Sequence, residues 1–188
     1  MYKSCATEES VRRQRQLEQC LQELMLTENF SQITISQICD RAGISRKSFY
    51  RYFTSKEGCL YALLDHAIFD GAAYYLPDRL TASPSHHIYE RFFIYWKENA
   101  SLLDALARHS MGQLLTERML NYSIQEEQEF RYLFGSFAHE STERSIFYIC
   151  GIMGLVLVWH KNGFNKSAAQ MADILSDMID YQSKHRSF

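Results

Sequence analysis

Residues 42–60, AGISRKSFYRYFTSKEGCL, decide how the N-terminal end of the chain folds. They form a turn, a short basic-aromatic helix, a second turn and the opening of a longer helix. Gly43 can take the positive φ that ends one helix and turns the chain. Ser45 can then cap the next helix by accepting from free backbone N–H groups. Over Ser45 to Phe53, Phe49 and Phe53 lie four apart and share a face that must be buried. Arg46, Lys47, Ser48, Tyr50 and Arg51 point elsewhere. They are cations and hydroxyls, the side chains that contact phosphates and base edges.

The preceding segment follows the same plan. Thr34-Ile35-Ser36-Gln37 has the form of a capping box, in which Thr34 and Gln37 satisfy each other's backbone donors. Ile35, Ile38, Cys39 and Ala42 recur at i, i+3, i+4 and i+7, one apolar stripe. Two short helices joined by a glycine-bearing turn, the second basic outside, describe a helix-turn-helix with its recognition helix in second place.

The segment from about Phe30 to Leu60 resembles the DNA-binding signature of the TetR family of bacterial transcriptional regulators. The residues that carry the resemblance are Thr34, Ile38, Ala42-Gly43-Ile44-Ser45, Phe49-Tyr50, Phe53, Ser55-Lys56-Glu57 and Leu60. Three positions depart from the family pattern. Lys47 stands where a small residue is usual and adds a long cation to the reading face, Cys39 replaces a common alanine, and Gly58 a common acidic residue. The resemblance implies an all-α fold of about nine helices. A three-helix DNA-binding domain would cover residues 1–54, and a larger regulatory and dimerisation domain 55–188, with the helix from 55 to about 75 linking them. It also implies a homodimer reading an inverted repeat in double-stranded DNA, released or modulated by a small-molecule effector, in the cytoplasm. Arg46, Lys47 and Ser48 are candidates for base contact, beside Ser45 and Arg51. The family pattern puts Tyr50 and Lys56 on phosphates, with Thr34 and Tyr52 in support.

Composition agrees with a small helical regulator. The 188 residues are 46% hydrophobic and 14% aromatic, which excludes a disordered chain. Two prolines and eight glycines favour helix. The net charge of −2 conceals an asymmetry: residues 1–56 hold nine Lys/Arg against six Asp/Glu, the remainder 11 against 16. A basic head on an acidic body suits DNA at one end. Five cysteines without C-x-x-C spacing are most simply reduced, with Cys20, Cys39 and Cys59 acting as small hydrophobes. The opening 16 residues are charged and polar, unlike a signal peptide.

Ser145 to Trp159 is uncharged, but shorter than the roughly 20 residues that cross a bilayer. A helix apolar on nearly all sides is buried on two of them, here by the monomer core and a partner subunit. No membrane contact is expected. Further helices are expected at about 7–27, 54–75, 86–99, 101–109, 111–134 and 141–162, with a proline-bearing loop over 76–85. Ser167-Ala168-Ala169-Gln170 is another capping box and starts the final helix. In the TetR family the last two helices pair with their copies across a two-fold axis. That implies Ile149, Met153, Leu157, Met171, Leu175 and Met178 as the dimer interface. Tyr95, Trp96, His109, Gln113 and Tyr122 are candidates for an effector pocket, against the alternative that they serve the core.

Catalysis is not indicated. His86-His87 lacks spaced partners, His139-Glu140 lacks the second histidine of a zinc motif, and no phosphate-binding glycine loop or nucleophile elbow occurs. No cofactor or metal is implied. The alternative function is a helical ligand-binding or protein-docking module, a co-regulator or activator without operator repression.

Overall fold

The computed structural model describes residues 2–3, 5–80, 85–125 and 142–184. Those residues form nine helices and no strand: α1 (Glu8–Met25), α2 (Ile35–Ala42), α3 (Arg46–Tyr52), α4 (Lys56–Leu80), α5 (Ser85–Glu98), α6 (Ala100–Arg108), α7 (Gly112–Gln125), α8 (Thr142–Lys161) and α9 (Ala168–Lys184). The expected termini hold within a residue or two except at two places. The helix α4 continues through Pro77 to Leu80, where a loop was expected, and residues 81–84 of that loop lie outside the described residues. So do 126–134 of the expected seventh helix.

The chain divides into two compact units. The first comprises Met1–Ala67 with Ser101–Arg118, and the second Ile68–Ala100 with Met119–Phe188. In the first unit α1 packs on α2 and α2 on α3. Its core is built from Leu17, Leu21 and Met25 of α1, Ile38 of α2, Phe49 of α3, Leu60 and Leu64 of α4, and Leu103 and Leu106 of α6. Cys20, Cys39 and Cys59 are buried among them as free thiols. Burial pushes the Cys59 thiol well above its usual range, with nearby Glu18 adding to the effect.

In the second unit α5 packs chiefly on α9 and also touches α8. Phe92, Phe93 and Trp96 fill its core, with Phe93 edge-on to Trp159 of α8 at 5.6 Å between ring centroids. Gly71 of α4 lets Tyr95 approach closely: a Cβ there would lie 2.8 Å from the tyrosine ring. Ser167 and Gln170 form the expected box at the start of α9, exchanging backbone donors at 2.9 and 3.1 Å.

Of the six residues expected at an interface, Met178 is exposed and most of the others face inward. Ile149, Met153, Met171 and Leu175 are buried inside this unit, and Leu157 is half-buried. A helix apolar all round offers two stripes, and the one richest in large side chains went to the core. The outward stripe of α8 is Phe147, Cys150, Gly151, Gly154 and Val158, beside Met178 of α9. Phe147, Val158 and Met178 are 63%, 58% and 54% exposed. Together α8 and α9 line an open apolar groove of about 670 Å³, bounded by Phe147, Ile152, Leu155, Met178 and Ile179 among others. The segment Glu143–Lys161 is long and apolar enough to cross a membrane. Its Trp159 packs edge-on against Phe93, and Ile149, Ile152, Met153 and Val156 are buried beside it.

Candidate nucleic-acid interface

The turn between α2 and α3 is built from local hydrogen bonds. Thr34 caps α2 and shares a complete capping box with Gln37. Gly43 ends α2 at φ 62° and ψ 29°, in the left-handed region. Its N–H donates to Asp40 O at 3.3 Å, and Ile44 N–H reaches back to Cys39 O at 3.0 Å, the Schellman arrangement. Gln16 of α1 donates its amide to Ala42 O at 2.9 Å, satisfying a carbonyl left open at the helix end. Arg41 pairs with Glu23 at 2.7 Å, and Gln37 with Glu28 at 2.7 Å. The α2 helix and its turn are therefore fixed to α1 and to the loop after it.

Ser45 caps α3, accepting from Ser48 N–H at 3.2 Å. Phe49 and Phe53 are buried, their ring centroids 5.1 Å apart. That orientation leaves Ser45, Arg46, Lys47, Tyr50 and Arg51 exposed, with Ser48 half-buried between them. Among the described residues no ion pair engages Arg46, Lys47 or Arg51. Tyr50 is 48% exposed, its ring edge-on to Phe49 at 5.7 Å, so the phenol is held in place while its outer end meets solvent. Three cations and a phenol on one two-turn helix can grip phosphates and reach base edges.

Three expected contacts are placed differently. Tyr52 turns inward and is only 6% exposed. Thr34 is exposed, but its hydroxyl is engaged with Gln37, accepting from the Gln37 N–H and facing its Oε1 at 2.9 Å. Lys56 opens α4, and its ammonium donates to the carbonyls of Phe30, Ile33 and Ser31 at 2.5, 2.8 and 3.5 Å while lying 4.4 Å over the Phe30 ring. An ammonium has three donors. Here all three serve the turn that leads into α2, so Lys56 clamps that turn. Ser55, just before α4, accepts from Gly58 N–H at 3.2 Å. The backbone N–H of Glu57, then the Ser55 hydroxyl, holds the Glu57 carboxyl below its usual range.

The expected effector residues do not form one wall. Tyr95 and Trp96 are buried in the second unit's core, where Tyr122 is half-buried against Phe69 at 4.9 Å. His109 and Gln113 belong to the first unit. His109 has a structural task there: Nδ1 accepts from Phe30 N–H at 3.5 Å, and Nε2 lies 2.8 Å from Met25 O. Two residues near the face had no sequence signal. Tyr2 and Lys3 run beside the end of α3, with Lys3 exposed.

Comparison with known proteins agrees with this geometry. The family described as bacterial regulatory proteins, tetR family, matches residues 22–63. The HTH-type transcriptional regulator EthR of Mycolicibacterium smegmatis is 40% identical over 62 residues, 30% of this chain and 29% of EthR. The match therefore spans under a third of that relative. The fatty acid degradation regulator FadR of Bacillus halodurans shares the fold over 94% of this chain and 96% of its own, at a TM-score of 0.59 and 14% identity. A TetR-family transcriptional regulator of Syntrophomonas wolfei does so over 80% and 94%, at 0.51 and 16%. The helix-turn-helix, built on the signature residues, thus matches the tetR family of bacterial regulatory proteins over residues 22–63, and the fold is shared with FadR along nearly the whole chain.

Proposed function

We propose that the chain is a repressor that binds a palindromic operator as a homodimer. The head spans residues 1–54, the regulatory body 55–188, and α4 links them. The observation that carries this reading is the outward face of α3, where Arg46, Lys47, Tyr50 and Arg51 are exposed around a buried Phe49–Phe53 pair. In the major groove, Arg46, Lys47 and Ser48 would meet base edges, and Tyr50 and Arg51 the phosphates. A single two-turn helix reads few bases. Two copies related by a two-fold axis read two half-sites spaced by helical turns of DNA. The exposed apolar stripe of Phe147, Val158 and Met178 supports a second copy as its cover. Modulation by an effector completes the reading. Such a molecule would shift the population between DNA-competent and incompetent forms. Cytoplasmic location follows from this role.

Selection of duplexes from a randomised library at moderate salt tests the proposal, since low salt lets phosphate contacts dominate. Enrichment of an inverted repeat, lost with Tyr50→Ala, is the expected result. Uniform, salt-sensitive binding without enrichment would refute operator recognition.

A further inference from the structure

The segment before α1 is fastened on two sides. Toward α3, Tyr2 forms an antiparallel bridge with Phe53, and Lys3 N–H donates to Tyr52 O at 3.0 Å. Tyr52 is the last residue of α3 and Phe53 its C-cap. Inward, the Tyr2 hydroxyl donates to Asp65 Oδ2 at 2.7 Å, and its ring meets that of His66 edge-on at 5.9 Å. Asp65 lies on α4, fully buried. Its carboxylate takes both prongs of Arg118 on α7, Nε to Oδ1 at 2.6 Å and Nη2 to Oδ2 at 2.5 Å. All these residues belong to the first unit.

A buried carboxylate needs a charge partner and satisfied oxygens. The two-pronged Arg118 supplies the charge, and both oxygens already accept from it. The Tyr2 hydroxyl is therefore not required for neutralisation, and what it adds is attachment of the chain to a fixed point. The α3 helix needs such an attachment. Seven residues are too few to hold a helix by themselves, and the last carbonyls of any helix lack partners within it. Tyr52 O is one of these, and Lys3 N–H satisfies it.

We propose that Tyr2 is a positioning residue for the recognition helix: it anchors the N-terminal segment on the Asp65–Arg118 pair, and that segment fixes the exit of α3 at Tyr52 and Phe53. The consequence for DNA rests on the proposed operator reading, while the tether itself stands on the geometry.

The test is amide hydrogen exchange and DNA binding on the full chain, with Tyr2→Phe, which keeps the ring, and Tyr2→Ala. With Tyr2→Phe, exchange at Lys3 and Phe53 should quicken about tenfold, equivalent to about 1.4 kcal/mol, with core amides such as Leu21 and Leu64 unchanged. Affinity for the selected duplex should fall about fivefold, while salt-dependent binding to random duplex stays the same. Tyr2→Ala should reproduce the local effect more strongly. Unchanged exchange at Lys3 and Phe53 in both variants would overturn the tether. Equal acceleration throughout the unit would overturn it too, by showing only general stability. If the unsubstituted chain selects no duplex, the operator reading fails, and the exchange pattern alone decides the tether.

Discussion

Lys56→Met separates two tasks for one lysine. The resemblance to the family placed it on a phosphate, whereas the structure turns its ammonium onto three backbone carbonyls of the turn before α2. Methionine keeps most of the aliphatic stem and removes the charge. Two of the three bonds are short, and a hydrogen bond to a charged group contributes about 1.5 kcal/mol or more. The expected loss is about 3 kcal/mol, with roughly 0.5 kcal/mol more from the cation over the Phe30 ring. In a chain of this size about 3 kcal/mol lowers Tm by roughly 6–12 °C. Scanning calorimetry of both proteins measures it. Salt titration of duplex binding supplies the second readout, because each phosphate contact contributes about 0.9 to the slope of log affinity against log salt. The slope should be unchanged. A Tm within about 1 °C of the parent, with the slope reduced by about one, would refute the clamp and restore the phosphate role.

Three more outcomes follow from the same geometry. Gly43→Ala puts a Cβ on a residue at φ 62°, where nothing crowds it but the backbone itself is strained, and should cost about 1–2 kcal/mol by urea denaturation. Phe147→Asp with Val158→Asp should convert a dimer to a monomer in light scattering, because both side chains are exposed on one stripe; an unchanged mass would place the interface elsewhere. Cys59 is buried and its pKa is raised, so the neutral thiol persists as pH rises through the ordinary thiol range. Alkylation of native protein at about pH 9 should therefore spare Cys59 and label it only after unfolding.

The parts of the site that could be read from sequence are those built from neighbours along the chain. The box of Thr34 with Gln37, the Ser45 cap, the left-handed Gly43 and the box of Ser167 with Gln170 each use residues within a few positions, so their chemistry shows in spacing. The Phe49–Phe53 pair is equally local, and it fixes which side of α3 faces out. The rest depends on contacts from far along the chain. The partners of Lys56 are carbonyls 23 to 26 residues earlier, which carry no side-chain signature. Tyr2 meets Asp65 across 63 positions, and Arg118 meets it across 53. His109 looked like a pocket residue because nothing local shows that its ring would bridge Met25 and Phe30. In α8 both faces are apolar, so periodicity could not tell the core stripe from the exposed one. Pro77 suggested a break, since proline removes a donor and crowds the preceding turn, yet α4 continues past it to Leu80.

In the proposed function, two copies of α3 read one site together. Affinity should be measured for the selected inverted repeat and for the same duplex with one half-site scrambled, with the protein-to-duplex ratio determined alongside. Two copies per intact site are expected, with a loss of at least about 100-fold on scrambling, the order of several mismatches at about 1–3 kcal/mol each. Equal affinity for the two duplexes, or one copy bound to the intact site, would contradict it.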